Sequence, residues 1–238
     1  MKTIFSVIIW AIYIMLTILL FFVVLFVMFA FPFDKKRSIA HAQCFWWADA
    51  IARTNPLVSY SISGLENIDQ KRTYIIVANH QSVADIIILY KTRIQFKWVA
   101  KESLFYIPFL GWCLFLIKHI KLSRNKQGSI RKVYREAIGW LKDGVSVLFF
   151  PEGTRSQTNL MNKFQDGAFK LAIKERKPIL PILISGTGKI LPKGERVFKQ
   201  KVFCKLTVLP AIETEEFRRG ESDRLMDIVR KKLESAGA

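Results

Sequence analysis

The chain begins with an uncharged apolar segment that is long enough to form a membrane-spanning helix. No charged residue occurs between Thr3 and Phe33, and about 20 apolar residues suffice for a helix to cross a bilayer. The residues that precede Pro32 are bulky, whereas a signal-peptide cleavage site needs small ones. The pattern therefore predicts a retained membrane anchor, either a transmembrane span or a helix embedded in one leaflet.

Residues 38–60 mix aromatic and polar side chains, with Phe45, Trp46 and Trp47 beside His41 and Asp49. This composition fits an amphipathic helix in the headgroup zone, and it equally fits an ordinary surface helix that docks on the domain. We predict a division of the chain into residues 1–57, the anchor with its interfacial segment, and residues 58–238, one catalytic-size domain.

From residue 58 onward, apolar runs of strand length alternate with segments of helical period. This alternation predicts an α/β fold, a single domain with a largely parallel or mixed sheet flanked by helices. The predicted strands span residues 58–63, 74–78, 145–150, 179–184 and 202–209. One predicted helix begins at Ser82, and three others span residues 128–143, 168–175 and 223–233.

The apolar segment 104–117 (LFYIPFLGWCLFLI) is too short to cross a membrane. Pro108 and Gly111 also interrupt any continuous helix within it. A buried or interfacial hairpin is the predicted structure.

Positive charge dominates the polar residues. Lys and Arg number 37 against 19 Asp and Glu, a formal net charge of +18, which favours a polyanionic partner. The membrane anchor, and the absence of a recognisable nucleic-acid motif, favour a phospholipid membrane over nucleic acid. Lys35, Lys36 and Arg37 follow the apolar segment and only Lys2 precedes it, so the positive-inside rule predicts that the catalytic domain faces the cytoplasm.

Three cysteines, Cys44, Cys113 and Cys204, are scattered widely along the chain. Their odd number and spacing predict neither a disulfide framework nor a metal site.

Two polar clusters directly follow predicted strands, residues 79–85 (NHQSVAD) and residues 151–156 (PEGTRS). Ligands of α/β sheets collect beyond the carboxyl ends of the strands. The two clusters therefore predict one shared site.

In the first cluster, His80 precedes Asp85 by five residues. A neutral imidazole can take a proton from an attacking alcohol, and a neighbouring carboxylate fixes its tautomer and stabilises the imidazolium. The alternative is structural: Ser82 caps a helix and Asp85 completes a capping box. His41 and His119 are weaker candidate bases, because no acidic residue stands at a fixed short spacing from His41 and lysines flank His119.

The second cluster has the residue types of a phosphate-binding loop. Gly153 permits close backbone approach, Thr154 adds a hydroxyl donor and Arg155 offers a planar fork for phosphate oxygens. Glu152 would repel a phosphate, so we expect it to orient Arg155 or another basic group. The alternative is a plain turn with a surface salt bridge.

The segment from His80 to Asp85 resembles the His-x4-Asp signature of the 1-acyl-sn-glycerol-3-phosphate acyltransferase (lysophosphatidic acid acyltransferase) family. The segment from Phe150 to Ser156 resembles that family's Glu-Gly-Thr-Arg loop, which there helps to hold the substrate phosphate. Further matches follow in family order over roughly residues 58–184: Lys101 with Leu104, Pro108 and Gly111, then Arg124, then residues 179–182. The family's middle motif carries Gly and Phe-Ile before its Arg, whereas this chain reads KHIKLS before Arg124.

The resemblance implies a glycerolipid acyltransferase-like fold and direct transfer of an acyl group from acyl-CoA or acyl carrier protein to lysophosphatidic acid, with no cofactor and no metal. His80 and Asp85 would be catalytic. Lys101, Arg124, Glu152, Gly153, Thr154 and Arg155 would belong to the substrate-binding set. Two rivals stay open: an acyltransferase of the same superfamily that uses glycerol-3-phosphate or another lysolipid, and a membrane-bound basic binding protein.

Overall fold

The computed structural model describes residues 2–123, 127–156, 160–191 and 195–237 and confirms the predicted α/β class. Its strands are β1 (Val58–Ser63), β2 (Ile75–Ala78), β3 (Phe96–Lys101), β4 (Ile120–Leu122), β5 (Ser146–Phe149), β6 (Ile179–Ser185) and β7 (Val202–Val208). Its α-helices are α1 (Lys2–Ala30), α2 (Ser38–Thr54), α3 (Asp85–Leu89), α4 (Leu110–Leu116), α5 (Ser129–Lys142), α6 (Gly167–Glu175) and α7 (Ser222–Gly237).

The seven strands form one mixed sheet in the order β1-β7-β6-β2-β5-β3-β4. The five strands from β6 to β4 run parallel to one another. Strand β7 pairs antiparallel with β6 and parallel with β1, so these two strands run in the opposite direction. The carboxyl ends of β6, β2 and β5 therefore lie side by side at one edge of the sheet.

The sheet separates two apolar cores. Because side chains alternate along a strand, Ile76 and Ala78 of β2 enter the core shared with α1 to α4, whereas Ile75 and Val77 enter the core shared with α5 to α7. Strand β2 is buried at every position, which explains its continuous apolar sequence.

Helix α1 is the one described helix that is long and apolar enough to cross a membrane. Ile9, Leu20 and Val24 are buried against the domain, and the indole of Trp10 donates to the Arg196 carbonyl at 2.8 Å. Most of the remaining apolar side chains of α1 are exposed. A continuous exposed apolar face of this length is typical of contact with lipid or another apolar surface.

Helix α2 packs between α1 and the domain and shares the first core. Its amphipathic pattern therefore matches the surface-helix alternative in part, since one side meets the domain. The division of the chain at residue 57 stays a prediction.

The predicted hairpin at 104–117 is confirmed as two short helical segments, a 3-10 turn at Glu102–Tyr106 followed by α4. Gly111 is required where the segments cross, because a Cβ at this position would lie 2.2 Å from the Phe105 carbonyl oxygen. The break between the segments leaves Trp112 and Phe115 exposed beside α1.

One prediction from the sequence needs correction, and two strands were not predicted. The helix after β2 begins at Asp85 and not at Ser82, because the amides of Gln81 and Ser82 turn inward to the Asp85 carboxylate. Strands β3 and β4 carry lysines at Lys97, Lys101 and Lys121, which obscure the apolar pattern, and they were not predicted.

Candidate active site

Three neighbouring parallel strands end at the same edge of the sheet and deliver the site. Thr187 follows β6, His80 follows β2 and Glu152 follows β5. The side chain of Asn79 is buried and ties β2 to β6, because its amide exchanges two hydrogen bonds with the backbone of Ile184 at 2.7 and 2.8 Å. The predicted convergence of the two polar clusters is confirmed.

His80 and Asp85 form a direct pair. The Nδ1 atom of His80 lies 2.7 Å from an Asp85 carboxylate oxygen, which is fully buried, while 21% of the His80 side chain is exposed. An ionised carboxylate only accepts hydrogen bonds, so Nδ1 carries the proton and Nε2 presents its lone pair. Nε2 makes no hydrogen bond to any residue that the structure describes. The pair with Asp85 thus fixes the tautomer in which Nε2 can act as a base.

Asp85 has four donors around it. Besides His80, its oxygens accept the backbone N–H groups of Gln81 and Ser82 at 2.7 and 2.9 Å, and the Thr187 hydroxyl. The capping alternative described part of this arrangement, because Asp85 does accept backbone amides ahead of its helix. The same carboxylate also binds the imidazole, so its contacts with the backbone amides do not exclude the pair with His80.

The second loop fixes the backbone of His80. Its N–H donates to Glu152 at 2.7 Å, and its carbonyl accepts from the Ser156 amide at 2.8 Å. The Phe150 ring stacks on the imidazole with centroids 4.1 Å apart. The loop after β5 therefore positions the imidazole in addition to any contact it makes with a ligand.

Glu152 differs from its expected role. Its carboxylate is buried and accepts backbone amides from His80 and Asn162 at 2.7 and 2.8 Å, so the expected pairing with Arg155 is not made. Burial raises the pKa of Glu152, although the two amide hydrogen bonds and His80 act in the opposite direction. Glu152 is a bridge between the two loops.

Arg155 is partly exposed in the same loop, and its guanidinium forms no hydrogen bond or ion pair with any described residue. Thr154 is exposed and Gly153 adopts a left-handed conformation with φ of 67°. Non-glycine residues rarely take this conformation, which accounts for glycine here. Lys101 is exposed at the end of β3, and Arg124 lies outside the described residues.

The competing histidines are placed in the core. His41 Nε2 accepts the Phe96 amide and His119 Nδ1 accepts the Trp98 amide, both at 3.3 Å. Burial lowers the pKa of His41 to about 3 and that of His119 well below its usual value. Both imidazoles are buried structural acceptors of β3 amides.

The sequence analysis missed Thr187 and Phe150 as parts of the site. Thr187 follows a strand and a glycine, the same local context as the predicted loops, and this placement was the available signal. Phe150 belongs to an apolar run, and nothing in that run distinguishes a ring that stacks on His80 from one that fills the core.

Comparisons with known proteins show which family the chain resembles. The acyltransferase family model matches residues 59–185. A 1-acyl-sn-glycerol-3-phosphate acyltransferase of Chlamydomonas reinhardtii is 39% identical over 68% of this chain, and one of Borreliella burgdorferi is 31% identical over 73% of this chain and 71% of its own length. The chain spans about half the length of the algal and plant relatives it matches.

The fold also matches a solved structure, the 1-acyl-sn-glycerophosphate (LPA) acyltransferase PlsC from Thermotoga maritima. The TM-score is 0.73 at 26% sequence identity, and the match covers 100% of this chain and 98% of that one. The family match extends over the strands that carry both polar loops, and its bounds agree with the resemblance predicted for residues 58–184. The chain belongs to the acyltransferase family.

Proposed function

We propose that this protein transfers a fatty acyl group from an acyl thioester to the sn-2 hydroxyl of lysophosphatidic acid, giving phosphatidic acid. The observation that carries the proposal is the His80–Asp85 pair, whose buried carboxylate lies 2.7 Å from Nδ1 and so leaves Nε2 as the basic nitrogen. A base oriented in this way activates an alcohol that the substrate itself supplies. The proposed donor is acyl-CoA or acyl carrier protein, and no metal or organic cofactor enters the step.

The cysteines are unsuited to act as covalent nucleophiles. Burial raises the pKa values of Cys44, Cys113 and Cys204 to about 12, whereas the reactive form of a cysteine is the thiolate. Direct attack by the acceptor hydroxyl needs no acyl-enzyme intermediate.

In the proposed reaction, His80 Nε2 takes the hydroxyl proton as the acceptor oxygen bonds to the thioester carbonyl carbon. Asp85 stabilises the imidazolium that forms. Collapse of the tetrahedral intermediate breaks the carbon–sulfur bond, and the proton passes from His80 to the departing thiolate. The ester and the free thiol leave with the base restored.

The acceptor is proposed from the loop and from the relatives. The guanidinium of Arg155 has no partner among the described residues, and Arg155 directly precedes Ser156, whose amide donates to the His80 carbonyl. A guanidinium can bind phosphate through two parallel hydrogen bonds. The names of the relatives support an acceptor with a glycerol 3-phosphate headgroup. We assign Arg155, with Lys101 and Arg124, to this phosphate.

An assay of the purified protein with radiolabelled acyl-CoA, and separately with radiolabelled acyl carrier protein thioester, against a panel of acceptors tests the function. We expect labelled phosphatidic acid from lysophosphatidic acid, and little product from glycerol-3-phosphate or from lysolipids with esterified headgroups. Preference for another acceptor would favour the superfamily rival. No transfer to any acceptor, from either thioester, would favour the non-enzymatic rival, a membrane-bound basic binding protein.

Arg155→Lys is expected to raise the Michaelis constant for lysophosphatidic acid about tenfold and to change that for the acyl thioester little. Lysine keeps the charge but loses the planar fork, and losing one charge-assisted hydrogen bond costs roughly 1.5 kcal/mol. Steady-state kinetics with each substrate varied in turn make the measurement. Equal rises for both substrates would contradict the phosphate assignment.

We further propose that α1 anchors the protein in a phospholipid membrane, with the catalytic domain on the cytoplasmic side. Alkaline carbonate or high salt should leave the protein in the membrane pellet. The reason is that the apolar face of α1, which the rest of the protein leaves uncovered, would be buried in the hydrocarbon of the bilayer. Anionic vesicles should bind more protein than neutral ones at low salt, and the difference should shrink at high salt. Full release by salt would contradict the anchor.

A further inference from the structure

A groove with a volume of about 850 Å³ lies between α1, α4 and α5, beside the edge strand β4. Its wall is mainly apolar and includes Phe21, Leu25, Trp112, Phe115 and Trp140. Phe115 is 74% exposed and Trp112 is 48% exposed. Ligand pockets commonly have volumes of about 300–1,000 Å³ and mostly apolar walls. The groove therefore has the size and surface of a binding site.

The groove shares no lining residue with the candidate active site, although its Lys121 pairs with Ala100, the neighbour of Lys101. None of its lining residues belongs to the loops that carry His80 and Glu152. Three strand spacings separate β2 from β4 in the sheet order, which is about 14 Å at 4.7–4.9 Å per strand. A ligand held against β4 is therefore about three strand spacings away from the loop that carries His80.

The polar part of the groove carries excess positive charge. Three lysines, Lys118, Lys121 and Lys132, line it together with Glu136 and Asp143. Lys121 lies 3.6 Å from Glu102 and Lys132 lies 3.8 Å from Glu136, both beyond hydrogen-bonding distance. Lys118 is exposed and forms no ion pair within the described part of the chain. An anionic group could contact amines on this wall without breaking a hydrogen bond that these lysines make with the described acidic residues.

The groove is also continuous with the surface that we assign to the membrane. Phe21 of α1 packs against Trp112 of α4 with ring centroids 5.3 Å apart. The neighbouring α1 side chains Phe22 and Phe26 are more than half exposed. A lipid next to α1 can thus enter the groove sideways, with its acyl chain on the aromatic wall and its headgroup near the lysines.

We propose that this groove binds an anionic phospholipid of the surrounding bilayer, as a site distinct from the acceptor site. The apolar wall accepts one acyl chain, and the lysines select a negatively charged headgroup over a zwitterionic one. The inference goes beyond the proposed acyl transfer, because it concerns lipid binding that needs neither His80 nor turnover.

Gly139 offers a way to close the groove. It lies on α5, lines the groove, and has no atom within 4 Å of a Cβ built on it. Gly139→Trp should therefore fold and place a large ring in the groove. Gly139→Ala is the matched control, because it makes the same backbone change and leaves most of the volume open.

Native mass spectrometry of the full-length protein in detergent, titrated with dioleoyl phosphatidylglycerol or dioleoyl phosphatidylcholine, provides the test. The unaltered protein and Gly139→Ala should retain one phosphatidylglycerol and bind it more tightly than phosphatidylcholine. Gly139→Trp should weaken this binding at least about tenfold. Thermal melting checks that the variants are folded.

Charge is tested independently by a second pair of variants. Lys118→Gln should weaken phosphatidylglycerol binding about fivefold, since one basic residue near a lipid surface contributes about 1 kcal/mol. Lys174→Gln removes an exposed lysine of α6 outside the groove and should leave the binding unchanged. Equal losses in both variants would mean that net charge alone attracts the lipid and would overturn the site.

Competition distinguishes the groove from the substrate site. Saturating palmitoyl-CoA or lysophosphatidic acid should not displace the retained phosphatidylglycerol. Displacement would overturn the proposal, because the groove would then belong to the substrate path. Unchanged binding in folded Gly139→Trp would overturn it as well.

Discussion

His80→Ala is expected to lower acyl transfer by a factor of about 100 or more while membrane association is retained. General-base catalysis typically contributes about 10²- to 10⁴-fold, and the Asp85 contact at Nδ1 leaves His80 Nε2 as the nitrogen that can take the proton. The side chain is partly exposed, so its removal should leave the core packing unchanged. Initial rates with acyl-CoA and lysophosphatidic acid measure the loss.

Val83→Ala is the matched control for this experiment, because Val83 is an exposed residue of the same loop and carries no group that can transfer a proton. Its turnover should stay close to that of the unaltered protein. If a folded His80→Ala variant kept near-normal turnover, His80 would not be the base, and the pair with Asp85 would be structural.

Asp85→Asn is expected to lower turnover by a factor on the order of 10² to 10⁴. The amide group has one oxygen where the carboxylate had two, and it cannot stabilise an imidazolium as an anion does. An uncharged partner also ceases to hold the proton on His80 Nδ1, so the wrong ring nitrogen can face the acceptor. Pre-steady-state acyl transfer at saturating substrates measures the chemical step.

The same substitution should lower the free energy of unfolding by about 1–3 kcal/mol, because buried N–H and O–H donors lose an acceptor. Thr187→Val separates the two effects, since it removes one donor to Asp85 and leaves the carboxylate beside His80. We expect Thr187→Val to reduce turnover much less than Asp85→Asn. If Asp85→Asn lost stability but kept its specific activity, the capping role of Asp85 would be its only role.

Much of the active site could be predicted because its residues are neighbours in sequence. His80 and Asp85 are five residues apart, and the local fold after β2 brings them to 2.7 Å. The apolar period of α5 and the continuous apolar run of β5 likewise depend only on local sequence, and both elements formed within two residues of their predicted bounds.

The role of Glu152 could not be predicted, because it depends on which strands become neighbours. Its partners lie at His80, on the loop after β2, and at Asn162. Strands β2 and β5 are separated by 67 residues of chain between Ala78 and Ser146, and only their pairing brings Glu152 to the His80 amide. The charge of this carboxylate suggested a basic partner. In the fold, the carboxylate is buried beside the backbone amides of His80 and Asn162, and it accepts hydrogen bonds from these two groups.

The sequence by itself determined the long apolar segment at the N-terminus, the α/β class, the His80–Asp85 pair and the loop around Arg155, because each depends on local pattern and short spacing. Only the tertiary structure decided the strand order, the place of Thr187 and the burial of His41 and His119. These features depend on pairing between distant segments, for which the free energy comes from burying apolar surface across the whole sheet. The residues of one local segment contribute only a small part of this free energy, so they do not specify which segments pair.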